Sequence, residues 1–367
     1  MKKLTAWILT AAMLFTLCAC GASAPAPSGN KEEAAEETSA ETEEAAEAEE
    51  PAAEEPAEAE EPAADEESAK KDVNVYVLTG PTGIGAVNLW EESEQGTASE
   101  NYHFTAAAAP TEIVSKISTG EADIAAISTN LASTLYNKTE GGVVILAVNT
   151  LGVLNVLDNT GAEITSMADL KGRQIVTTGQ GANPEYILNY LLRENGLDPA
   201  TDVSIEFKAD GSELVGVWET APDAVIVAPQ PVATSIKGKY EGSQIALSLT
   251  DEWKKVSPDS ELMMGCMIAR KEYAEQNPEV IEHFLSDYER SVETANADPA
   301  STGDLCEKYG IVPAAAVAKA AIPACNICFI TGEEMKSGLT GYLQVLSDAD
   351  ASSIGGAMPG DDFWYSR

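Results

Sequence analysis

The chain has 367 residues, 44% of them hydrophobic, and carries 60 Asp and Glu against 22 Lys and Arg, for a formal net charge of −38. Such an acidic balance disfavours nucleic acid as a partner, and the length predicts two lobes rather than a single core. Lys2 and Lys3 precede an apolar run from Leu4 to Leu17. That run is too short to span a bilayer and predicts a signal peptide over 1–19.

The run closes on Leu17-Cys18-Ala19-Cys20-Gly21, which looks like a bacterial lipobox with Cys20 at the modified position. Cleavage before Cys20 would leave its thiol to carry lipid, and several acyl chains together give lasting attachment to a membrane. The alternative is an ordinary secretory signal that contains cysteines. With lipidation, the expected location is the cell membrane, facing the extracytoplasmic side.

Residues 20–71 then form a linker. Between Glu32 and Glu67 it is built from Glu, Ala, Pro, Ser, Thr and a single Asp, and holds 18 of the 60 acidic residues. A stretch so poor in apolar side chains cannot offset the entropy of ordering, so a disordered acidic stalk is expected. Pro51, Pro56 and Pro62 interrupt its Glu/Ala runs. Residues 72–367 carry the folded part, with a net charge of about −25.

That part alternates strands and helices. Val73 to Leu78 is β-branched and alternating, a strand that runs into Thr79-Gly80-Pro81-Thr82-Gly83 and then a helix over Ala86 to Glu94. A strand near Tyr102 to Ala106, a helix over Pro110 to Ser118 and a buried strand at Asp123 to Ile127 follow. Ser128-Thr129-Asn130 leads to a helix from Leu131, and Gly142 to Thr150 is a further buried strand. The next unit has a turn, a short helix and a Gly stop over Ile164 to Arg173, a strand at Gln174 to Thr178, and Gly179-Gln180-Gly181-Ala182-Asn183-Pro184. Asn183 is expected to cap the helix that follows. Val203 to Phe207 is a strand, Gly211 to Thr220 a helix, and Asp223 to Ala228 a buried strand ending in Pro229-Gln230-Pro231 with no obvious helix behind it. Leu262 to Ala269 is a strand, and the chain is mostly helical from Lys271 to Asn296. This alternation predicts an α/β fold with mainly parallel sheets, whose ligands bind where strands turn into helices.

Motifs and their order give a resemblance. The lipobox precedes a strand with a Gly-rich loop, Pro110-Thr111-Glu112-Ile113, Gly120-Glu121-Ala122-Asp123-Ile124-Ala125, Asp169-Leu170-Lys171-Gly172, Gly179-Gln180-Gly181, Asp223-Ala224 and Asn277-Pro278-Glu279. The series resembles the solute-binding proteins of ABC importers of the nitrate, sulfonate, taurine and thiamine-precursor type, over Val73 to about Asn296. The resemblance implies a two-lobe type II periplasmic-binding-protein fold that closes on ligand like a hinged clamp. Lobe one is expected at 72–153 and 248–367 and lobe two at 154–247, with crossovers near Asn155 to Thr160 and Gln244 to Thr250. The segment from Gly360 to Tyr365 is expected to pack back on lobe one. It further implies a small-molecule ligand, ABC permease and ATPase subunits as partners, a monomer, and no enzymatic activity. Related enzymes of thiamine-pyrimidine synthesis use a cysteine cluster and a histidine that this chain lacks.

The residues expected to bind ligand are Thr79, Gly80, Pro81, Thr82, Gly83, Ser128, Thr129, Asn130, Gly179, Gln180, Gly181, Asn183 and Gln230. The glycines let backbone amides approach a ligand, and helix starts favour oxygen-rich groups, although tight turns alone would also call for glycine. Thr150, Trp90 and Trp218 are weaker candidates, the tryptophans serving equally as core. None of the five arginines lies in a candidate loop, which points to a neutral or weakly polar organic ligand, with any anionic group held by backbone amides. Cys325-Asn-Ile-Cys328 has redox or metal-knuckle spacing but lacks a second pair, so Cys266, Cys306, Cys325 and Cys328 are read as a structural disulfide or buried thiols. No cofactor, metal site or catalytic constellation is expected. A sensory lipoprotein, a surface enzyme on the same fold and a structural surface protein remain alternatives.

Overall fold

The computed structural model describes residues 69–366. The signal segment, Cys20 and nearly all of the acidic linker lie outside these residues. The first part of the chain forms β1 (Asp72–Leu78), α1 (Pro81–Ile84), α2 (Val87–Glu94), β2 (Asn101–Ala107), α3 (Pro110–Thr119), β3 (Ile124–Ser128), α4 (Thr129–Lys138) and β4 (Val143–Thr150). The middle forms β5 (Leu154–Asp158), β6 (Gln174–Thr177), α5 (Asn183–Glu194), β7 (Ser204–Phe207), α6 (Gly211–Leu214), α7 (Val217–Thr220), β8 (Val225–Pro229), α8 (Val232–Lys239) and β9 (Gln244–Ser248). The last part adds α9 (Leu249–Val256), β10 (Gly265–Arg270), α10 (Lys271–Gln276), α11 (Pro278–Ala297), α12 (Pro299–Lys308), α13 (Ala315–Ala321), β11 (Ile327–Ile330) and α14 (Gly332–Ala349).

The strands make two sheets flanked by helices, one in the order β11-β4-β10-β3-β1-β2 and one in the order β7-β6-β8-β5-β9. This is the α/β architecture of the two-lobe periplasmic-binding-protein fold. Both sheets are mixed, where mainly parallel ones were expected. β1 pairs in parallel with β2 and β3, and β6 with β7 and β8, but β10 is antiparallel to β3 and β4, and β5 to β8 and β9. The cause is the passage between sheets. A chain arriving from the other sheet enters at the edge where β1, β3, β6 and β8 end, so β5 and β10 must run against their neighbours. The first passage lies at 151–153, and Asn155 to Asp158, expected in a crossover, belongs to β5.

Side-chain patterning explains the packing. Val73, Val75 and Val77 alternate onto one face of β1, while all eight residues of β4 are buried because both its faces and both its edges are covered. α11 buries Val280, Ile281, Phe284, Leu285, Tyr288 and Val292 at helical spacing against that first face. On the opposite face one apolar cluster runs from Ile127 and Val148 through Val153 and Trp253 to Val225 and Val227, so the two sheets share a core on this side. α5, α9 and α14 meet there, with Trp253 between Tyr190 and Tyr342 at ring distances of 5.0 and 5.5 Å. The C-terminal segment packs on the first sheet as expected. Phe363 is fully buried, Trp364 bridges to Ile145, and the Tyr365 amide donates to the Ile145 carbonyl at 3.0 Å.

Three local expectations need correcting. α8 follows the Pro229-Gln230-Pro231 turn directly; its Lys-rich last turn and interior glycine hid its start in the sequence. The helix expected over Gly211 to Thr220 is two short helices, broken at Val215 and Gly216. Ala182, not Asn183, caps α5, and Asn183 is its first helical residue.

Candidate functional site

The loops singled out from the sequence lie at the carboxyl edges of the two sheets. β1 ends at Thr79–Gly83, β3 at Ser128–Asn130, β6 at Thr178–Asn183 and β8 at Gln230. The structure joins two of these loops across the sheets. Asn183, in the first turn of α5, donates from Nδ2 to the Met264 carbonyl at 2.8 Å and to Thr129 Oγ1 at 3.3 Å. Thr129 in turn donates from Oγ1 to the Met263 carbonyl at 2.6 Å and from its amide to Met264 at 3.1 Å. Asn183, Thr129 and Asn130 are almost completely buried.

Several polar atoms at this seam are left over. Ser128 Oγ, Asn130 Oδ1 and Asn183 Oδ1 are buried and have no hydrogen-bond partner. Ser128 occupies the cap position of α4, yet its side chain does not cap. Each such orphan costs about 1–3 kcal/mol in a folded protein unless something partners it. Asn130 Nδ2 holds the Ser353 carbonyl at 3.1 Å, and Ser133 and Asn137 hold the Ile354 carbonyl, so α4 also clasps the segment after α14. α5 packs against α14, and burial, together with the Glu185 and Asp350 carboxylates, pushes the Tyr186 phenol up.

The glycine loops behave differently from the expectation that their amides serve a ligand. The Gly80 amide donates to the Ile311 carbonyl at 2.9 Å, and the Gly181 amide to Glu185 Oε2 at 2.6 Å. Gly83 is buried, and a Cβ there would lie 2.4 Å from the Leu78 carbonyl oxygen, so its glycine has a packing reason. Thr79, Pro81 and Thr82 are half-buried, and the Thr82 carbonyl accepts from Asn149 at 3.3 Å. Gly179 and Gly181 take φ of +77° and +72°, and Gln180 is exposed at the tip of its loop. Gln230 is buried; its amide oxygen accepts from Thr234 Oγ1 at 2.7 Å, and its Nε2 makes no hydrogen bond to the described residues. Thr177 Oγ1 reaches the Val227 carbonyl at 2.8 Å and so keeps Gln230 and the 178–183 loop on one edge.

The weaker candidates have structural roles. Trp90 stacks between Phe104 and Tyr309, at 5.3 and 4.3 Å. Trp218 is buried and donates from Nε1 to the Ala224 carbonyl at 2.7 Å. Thr150 Oγ1 donates to Asn149 Oδ1 at 3.0 Å. The four cysteines of the folded part are free thiols, Cys266, Cys306 and Cys325 buried and Cys328 partly so. Burial pushes Cys306, Cys325 and Cys328 up to about 12. Among the described residues no group of three or more His, Cys, Asp and Glu side chains could hold a metal ion.

A cavity of about 350 Å³ lies where the sheets join, lined by Gly152, Asn155, Ser248, Thr250, Lys254 and Asn326 among others. None of the thirteen sequence-nominated residues lines it. Met263, Met264, Asn149 and Asn326 are the participants that sequence reading missed. Backbone carbonyls carry no sequence signal, but Asn326, at a φ of +46° inside Cys325-Asn-Ile-Cys328, stands out as a polar break.

Comparison with known proteins agrees with this architecture. A structure of an ABC transporter protein from Parabacteroides distasonis is 19% identical with a TM-score of 0.67, over 80% of this chain and 99% of that one. The periplasmic aliphatic sulphonate-binding protein SsuA from Escherichia coli is 13% identical with a TM-score of 0.63, over 80% and 93%. The periplasmic nitrate-binding protein NrtA from Synechocystis PCC 6803 is 13% identical with a TM-score of 0.53, over 66% of each chain. No curated protein matches the sequence. The NMT1/THI5-like family model matches residues 103–302, more than half of the chain. The chain belongs to the NMT1/THI5-like family.

Proposed function

We propose that this protein is the extracytoplasmic solute-binding component of an ABC importer, which captures a small organic molecule between its two lobes and delivers it to a permease driven by an ATPase. The observation that carries this reading is the seam at Asn183. A side chain from one sheet reaches the other, and buried polar atoms of both carboxyl edges stand there without partners. A ligand completing those bonds would favour the closed arrangement over an open one. Similarity to ABC-type, sulphonate-binding and nitrate-binding proteins supports the class of function.

In this reading, 72–153 with 248–367 is lobe one and 154–247 is lobe two. Thr79–Gly83, Ser128–Asn130, Gly179–Asn183 and Gln230 face the ligand, and the protein works as a monomer without catalytic chemistry. Residues 1–19 are removed, Cys20 is lipidated, and 20–71 is the tether. No helix among the described residues is long and apolar enough to cross a membrane.

A thermal-shift screen of residues 21–367 against metabolites tests the proposal. A ligand confined to the native state stabilises it by about 2.7 kcal/mol at a hundredfold excess over Kd. A saturable shift that is lost in Asn183→Ala supports it. Turnover of the bound compound would overturn it in favour of an enzyme.

A further inference from the structure

The polar atoms left over at the seam define what the ligand offers, given the solute-binding reading above. Asn183 cannot be turned round. Its Nδ2 faces the Met264 carbonyl, and the Thr129 hydroxyl has spent its hydrogen on Met263, so a flipped amide would set Oδ1 against two acceptors. Asn130 is fixed in the same way by the Ser353 carbonyl. Each side chain therefore leaves an amide oxygen, which only accepts, buried without a donor. Ser128 Oγ beside them is also unpartnered.

Helix starts by themselves favour anions. Here three of the nearby amides are already used, at Gly80, Thr129 and Gly181. No Lys or Arg occurs in 79–83, 128–130, 177–183 or 229–231, whereas Glu185 stands beside the Gly181 amide. An oxyanion set against either amide oxygen would meet an acceptor, with no countercharge from these loops. A molecule with N–H groups would satisfy both oxygens, and its own carbonyl or ring nitrogen could accept from Gln230 Nε2.

We propose that the ligand is an uncharged or cationic molecule bearing N–H donors, such as a carboxamide, amidine or amine, bound through Asn130 and Asn183, and that sulfonates and carboxylates are rejected.

Matched probes test this on residues 21–367 by thermal shift and calorimetry: nicotinamide against nicotinate, benzamidine against benzoate, and ethanesulfonate as the sulfonate. The expected result is saturable binding by at least one donor-bearing member, at least tenfold tighter than its carboxylate partner. Asn130→Ala and Ser128→Ala, checked for folding by circular dichroism, should weaken that binding tenfold or more; Ser128→Ala breaks no hydrogen bond of the fold. Binding of ethanesulfonate or a carboxylate with equal or greater affinity overturns the inference and leaves the solute-binding reading standing. Binding unchanged in both variants also overturns it. Silence from every probe overturns it as well, and only silence across the broader metabolite screen would remove the solute-binding reading too.

Discussion

Asn183 Nδ2 and Thr129 Oγ1 lie 3.3 Å apart although the two residues belong to helices that follow strands of different sheets, 54 residues away in the chain. Thr129→Val keeps the shape and removes the hydroxyl. It leaves the buried Met263 carbonyl without its 2.6 Å donor. The expected cost is about 1–3 kcal/mol of unfolding free energy, read by urea denaturation. A loss below measurement would mean that the seam contributes nothing to the stability of the closed form.

Gly83 and Gly181 separate packing from backbone freedom. An alanine Cβ at Gly83 would overlap the Leu78 carbonyl and press on the Ile311 side chain. Gly83→Ala should cost about 1–3 kcal/mol and speed hydrogen exchange of the Gly80 amide, which depends on Ile311. Gly181 has φ of +72° with open space around it. Gly181→Asn, a residue that tolerates this region, should stay within about 0.5 kcal/mol of the parent.

Trp218 tests whether an aromatic ring at this position serves the ligand. It packs against Tyr240 at 5.2 Å and bonds the Ala224 carbonyl inside the second sheet's own core. Trp218→Ala should lower stability by about 3–5 kcal/mol, and calorimetry on the remaining folded protein should show an unchanged ligand affinity. A large affinity loss without destabilisation would return the ring to the site.

Glu91 gives a pH signature. Hydrogen bonds from Lys308, Tyr309 and Gln95 hold its carboxyl at about 2, below the ordinary value of 4.5. A depressed acid stabilises the fold above its unfolded value, and that contribution is lost as pH falls from 4.5 toward 2. Glu91→Gln should therefore be less stable than the parent at pH 7 and approach it near pH 2.5. Equal stability at both pH values would show that solvent screens the Glu91–Lys308 pair completely.

Local pattern made much of this chain legible. The alternating valines of β1, the continuous apolar run of β4 and the glycine stops after α3 and α5 follow from side-chain periodicity and backbone freedom, which neighbours in sequence determine. The candidate loops were legible for the same reason, since they punctuate strand and helix. Strand direction was not. β10 read as an ordinary strand and β5 as a crossover, and only the route of the chain between two sheets makes both antiparallel to their neighbours.

The sequence by itself determined most of the strands and helices (though not β5, α8 or β9), where polar loops interrupt them, and that the folded part is acidic and poor in arginine. The tertiary structure decided which of those loops meet. Asn183 reads as a helix cap in isolation, yet its partners are Thr129 and the carbonyl of Met264, 81 residues further on. Gly80 and Gly181 read as open amides, yet Ile311 and Glu185 occupy them. The physical reason is that caps and turns depend on neighbours along the chain, whereas a hydrogen bond between loops depends on how two sheets are set against each other, and the carbonyls that complete it look alike at every position of the sequence.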